Sequence, residues 1–113
     1  MIVTPLLLSL LVASPDPQPS RAELCLAHMN AMIAEAQRET GRVAGPSWFI
    51  RDWWTARLPE EGAPGALDAE QRTRLELSLP GRKAADPDKH RGELQSCVNE
   101  AIEAGAVPGM GPT

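Results

Sequence analysis

Trp48-Phe49-Ile50-Arg51-Asp52-Trp53-Trp54 is the stretch whose reading decides the fold. It holds every aromatic residue of the 113-residue chain, three Trp and one Phe, with no Tyr anywhere. Aromatic side chains bury more area than any others, so a small core has to be built against this segment. Pro46-Ser47 offers a start, with Ser47 as N-cap, and Pro59 disfavours continuation, which predicts a helix to about Leu58. On a helical wheel Phe49, Ile50, Trp53, Trp54, Ala56 and Leu58 spread over roughly 200°, leaving a polar arc to Arg51, Asp52 and Thr55. A helix so broadly apolar needs more than one neighbour, and it is the expected centre of a bundle.

One neighbour precedes it. Ser20-Arg21-Ala22-Glu23 has the form of a capping box, in which the residue 20 hydroxyl and the residue 23 carboxylate each satisfy the other's amide. From there Cys25, Leu26, Met29, Met32, Ile33 and Ala36 fall within an arc of about 120°, and Gly41 stands where a left-handed residue would end the helix. Two more segments follow the polar loop Glu60 to Ala66. Asp68 with Gln71 is a capping-box variant, but Leu75, Leu77 and Leu79 alternate with Glu76 and Ser78 at strand period. A lone strand would leave its backbone unpaired, so a short helix over 69–78 is predicted, closed by Pro80-Gly81. Asp86 as N-cap, Pro87 at the first helical position and Asp88 in the first turn open the last helix. Its stripe is His90, Leu94, Cys97, Val98, Ala101 and Ile102, and Gly105 is placed to end it.

Cys25 and Cys97 lie on the buried stripes of the first and last helices, and they are the only two cysteines. In an exported domain such a pair reads as one disulfide. Closing a loop of roughly 70 residues constrains the unfolded chain by about 4 kcal/mol.

Export is suggested by Ile2 to Val12, IVTPLLLSLLV, an uncharged apolar run suited to a secretory signal. It is shorter than the roughly 18 apolar residues that span a bilayer. No Lys or Arg precedes it, and cleavage after Ala13 would leave Leu11 at the −3 position. The competing reading is an N-terminal helix docked on the core. Residues 1–13 are thus assigned as a signal peptide, 14–19 (SPDPQP, from Ser14) as an extended spacer, 20–105 as the helical domain and 106–113 as a disordered tail.

Composition narrows the function. Net charge is −4 and the Lys and Arg residues are scattered, which excludes the concentrated basic footprint needed for nucleic acid or an anionic membrane surface. Hydrophobic residues at 42% and charged residues at 23% are ordinary for a globular chain. The preference for Arg over Lys, with abundant Ala, Gly and Pro, is the usage of a GC-rich bacterial genome.

Three constellations bear on chemistry. Cys25, His28, His90 and Cys97 form a zinc-type set, but His90 and Cys97 are about 10 Å apart along a helix, and a disulfide would consume both thiols. His28, Met29 and Met32 could hold Cu(I), yet both Met lie on the core stripe, where Met fills gaps. No G-x-S-x-G, H-E-x-x-H or glycine-rich phosphate loop is present, and Glu60-Glu61 sit in a flexible loop. Neither catalysis, nor a resident metal, nor a cofactor is expected.

The chain is therefore read as all-α, a small antiparallel bundle of three to four helices. It should act, in the periplasm or outside the cell, as a non-enzymatic module for a protein partner, with no membrane anchor once the signal is removed. Trp48 and Trp54 are the aromatics expected at its surface, with Arg51 and Asp52 as polar rim. The alternative is a small-molecule or metal-handling protein with an interhelical pocket near His28, Met29, Met32 and Trp53.

Overall fold

A computed structural model describes residues 17–111. The expected signal segment at 1–13 and the start of the spacer lie outside the described residues, as do positions 112 and 113. Four helices follow one another: α1 Arg21–Thr40, α2 Gly45–Thr55, α3 Ala69–Ala85 and α4 Pro87–Glu103. Among the described residues there is no strand, and the all-α bundle is as the sequence predicts.

Most helix ends form where the residues dictate. Ser20 and Glu23 close a full capping box, and Gly41 ends α1 in the left-handed region at φ 72°. Asp68 and Gln71 close a second box at the start of α3. Asp86 serves two helices at once. Its amide donates to the Arg82 carbonyl at the end of α3, while its carboxylate accepts from the Lys89 amide to open α4. One residue therefore makes the corner between them.

Two boundaries differ from expectation. α2 begins at Gly45, with Ala44 at the cap position and no side-chain cap, and it stops at Thr55. Ser47 lies inside the first turn and is buried, so its hydroxyl does not sit at the cap. α3 continues through Pro80-Gly81 to Ala85. An internal Pro removes one backbone hydrogen bond and usually breaks a helix. Here Leu75 and Leu79, one turn apart, are both buried in a cluster with Ala27 and Leu67, and that packing holds the segment helical across the defect. The alternation of Leu75, Leu77 and Leu79 is resolved the same way: Leu77 faces outward and is 74% exposed.

The centre of the bundle is α1. It packs against all three other helices, α4 also meets α2 and α3, and α2 does not touch α3. The aromatic helix has the two neighbours its broad apolar arc required, α1 and α4, but the hub is α1, which corrects the expectation that the aromatic helix is the centre. The main core gathers Cys25 and Met29 of α1, Ile50 and Trp54 of α2, and Cys97 and Ala101 of α4. Cys25 and Cys97 are disulfide-bonded at its middle, with Cα atoms 5.4 Å apart. Val107 packs into the same core, so the segment expected to be a disordered tail from 106 onward is anchored at its beginning.

Glu23 does more than cap. Its side chain is buried, and one oxygen accepts from the Ser20 amide at 2.8 Å while the other accepts from the Leu67 amide at 2.8 Å. Arg72 approaches the second oxygen at 3.7 Å. One carboxylate thus fastens the α2–α3 connection onto α1. Burial alone would raise this carboxyl, but the amide hydrogen bonds, the Ser20 hydroxyl and the Arg72 charge outweigh it and hold the pKa below the ordinary value.

Candidate functional site

Two places combine chemistry with access: the outward face of α2, and a groove on the far side of α1. The inward face of α2 carries Ile50 and Trp54. Trp54 is 2% exposed and its indole N–H donates to the Cys97 carbonyl at 3.1 Å. This corrects the expectation that Trp54 lies at the surface. The buried sector of the helix is centred on Trp54, where α1 and α4 both reach it, and a buried indole N–H requires an acceptor that α4 supplies.

The opposite face holds what the core leaves out. Phe49 is 48% exposed, and Trp48 and Trp53 are half-buried. Each Trp is covered by an arginine. The Arg51 guanidinium lies 4.9 Å from the Trp48 ring centre, and that of Arg57 lies 3.5 Å from the Trp53 ring centre. Arg51 also donates twice to one oxygen of Asp52, at 2.9 and 3.2 Å. Trp53 meets Trp54 edge-to-face at 4.7 Å. The result is an aromatic surface with a guanidinium over each of its two half-buried Trp rings and Phe49 about half exposed. Of the four residues expected to form a partner surface, Trp48, Arg51 and Asp52 are together on this face. Phe49 takes the place of Trp54.

The groove encloses about 540 Å³ between α1, α3 and α4. Met32, Leu79 and Leu94 give it apolar walls, Leu77 stands at the rim, and Glu35 and Lys83 face each other across it at 3.4 Å. His28 and His90 meet along one side, with ring centres 4.9 Å apart and planes tilted by 58°. His28 is 1% exposed. Its Nε2 is 3.0 Å from a Glu93 carboxylate oxygen. A carboxylate can only accept, so Nε2 carries the proton and Nδ1 of a neutral ring is a bare lone pair. The Nδ1 atoms of both imidazoles are buried without a partner. Burial holds the His90 pKa below its ordinary value, with the nearby His28 and Lys83 acting in the same direction against Glu93 and Glu35.

The pocket anticipated from the sequence is thus present in part and displaced. His28 and Met32 line it, whereas Met29 is enclosed in the disulfide core and Trp53 belongs to α2, which is not part of the groove. His90 and Glu93 are the partners that the sequence reading missed. The disulfide contained the signal. α1 and α4 run antiparallel through it, so three residues on from Cys25 and four back from Cys97 are neighbours, which brings His28 to Glu93. Among the described residues no group of three or more His, Cys, Asp or Glu side chains is placed to hold a metal ion. No described helix is long and apolar enough to cross a membrane. The disulfide is consistent with an oxidising, extracytoplasmic compartment.

Comparison with known proteins gives no family. No protein-family model, no curated protein and no solved structure matches the chain.

Proposed function

We propose that this chain is a non-catalytic binding module, exported to the periplasm or beyond, that engages a protein partner through the outward face of α2. The observation that carries this reading is Phe49, a large apolar side chain 48% exposed next to two half-buried Trp. Aromatic and Arg side chains are the residues that most often dominate binding energy at protein interfaces, and here Trp48, Phe49 and Arg51 on one short helix and Arg57 in the turn after it supply both kinds. The fitting partner offers an apolar socket for Phe49 with carboxylates at its edge for the two guanidiniums. Cation–π contact with the indoles holds those guanidiniums before binding, which lowers the entropic cost of ordering them. Non-catalytic action is supported by the sequence, in which neither histidine has a nucleophile at a telling spacing.

The test is a pull-down from extracytoplasmic extract of the native host with the wild-type chain, Phe49→Ala and Trp48→Ala as baits. A protein retained by the wild type and lost from both variants, while a groove variant such as Leu77→Ala retains it, is the expected result. Equal retention by all four baits would overturn the assignment of the surface.

A further inference from the structure

We propose that His28 and His90 form a two-imidazole site for a divalent transition-metal ion, opening onto the groove between α1, α3 and α4. Three observations carry it. The first is unpaired chemistry. Buried polar atoms are nearly always hydrogen-bonded, and each exception calls for an explanation. Here there are two, the Nδ1 atoms of His28 and His90, and they belong to rings whose centres are 4.9 Å apart.

The second observation is the spacing. An imidazole nitrogen binds zinc at about 2.0–2.1 Å, and two imidazoles on one tetrahedral ion have ring centres about 5 Å apart. The His28–His90 separation of 4.9 Å falls at that value. The third is Glu93. Metal-bound imidazoles characteristically donate their other N–H to a carboxylate, which fixes the tautomer and makes the coordinating nitrogen more basic. His28 makes that bond to Glu93 at 3.0 Å and is left with Nδ1 as the free donor atom. Glu93 is thus a positioning residue for the site.

With two protein ligands the remaining coordination positions fall to water or to a small ligand in the groove. Imidazole donors suit Zn²⁺, Cu²⁺ and Ni²⁺, and a site with open positions binds exchangeably. His90 is the more exposed partner, half-buried where His28 is enclosed. The thiols take no part, because Cys25 and Cys97 are bonded to each other.

The experiment uses the untagged, oxidised full chain. Cu²⁺ is added at one equivalent, and its electron paramagnetic resonance spectrum is recorded beside that of His90→Ala. Zn²⁺ affinity is measured by calorimetry for the wild type, His90→Ala and Glu93→Ala. Nitrogen couplings from two imidazoles are expected in the wild type and from at most one in His90→Ala. Zn²⁺ affinity should fall on the order of 10–100-fold on loss of the Glu93 carboxylate. His90 is peripheral, so its variant should keep the fold, and the wild-type spectrum alone decides the matter if it does not. A wild-type spectrum without imidazole couplings, or Zn²⁺ affinity equal in all three proteins, would overturn the proposal and leave the histidines as a packed pair only.

Discussion

The outward face of α2 and the groove behind α1 break the usual partition of side chains in opposite senses. On α2, apolar groups stay partly outside: Phe49 is about half exposed, Trp48 lies under an arginine, and Trp53 lies between an arginine and the core. In the groove, polar groups go inside: His28 is enclosed with one nitrogen unpartnered. Each arrangement forgoes stability that a simpler residue would have given. Glu23 shows what this fold does when a buried polar group is structural. Both of its oxygens are occupied by backbone amides. The contrast between Glu23, fully satisfied, and His28, half satisfied, is the physical reason for assigning a ligand to the second and not the first.

The largest expected effect separates the two faces of α2. Trp54→Ala removes the core side chain and orphans its hydrogen bond with the Cys97 carbonyl, and should cost about 3–5 kcal/mol in urea unfolding. If the loss were under 1 kcal/mol, the inward placement of Trp54 would be wrong.

A middle-sized effect sharpens the Glu23–His28 contrast through pH. The folded-state pKa of Glu23 is depressed below 4.5, so the stability it contributes is present above that value and is lost as pH falls through the folded pKa. The wild type should therefore weaken on acidification below about pH 4.5. Glu23→Gln, which places an amide donor against a backbone donor, should be weaker at neutral pH by about 1–3 kcal/mol and flatter across the same acid range. Parallel curves for the two proteins would contradict the role given to this carboxylate. The smallest effect is at Phe49, where Phe49→Ala should leave stability within about 0.5 kcal/mol of the wild type. A loss comparable to that of Trp54→Ala would mean that Phe49 belongs to the core.

Much of this fold is legible in the residues because it depends on local chemistry. Ser20 with Glu23, Gly41, Asp68 with Gln71, and Asp86 with Pro87 each specify a helix end over a few positions, and all four form. The disulfide followed from two stripes that each carried one Cys. What escaped depends on packing between segments. The propagation of α3 through Pro80 is decided by Leu75 and Leu79 against α1, which no propensity at 80 and 81 can reveal. The direction of Trp54 depends on which side of α2 has neighbours, and a helix wheel with apolar residues over most of its circumference does not choose. The second task of Glu23, holding Leu67, spans 44 residues. His28 with Glu93 was one step away, since the disulfide fixes the register of α1 on α4.

The measurement that bears most directly on the central claim is site-specific photo-crosslinking in the native host. A benzophenone side chain replaces Phe49 in one strain, and Gln95, exposed on α4, in a second. The account predicts a discrete higher-mass adduct from position 49 on irradiation and none from position 95. No adduct at 49, or the same smear at both positions, would contradict a partner surface on α2.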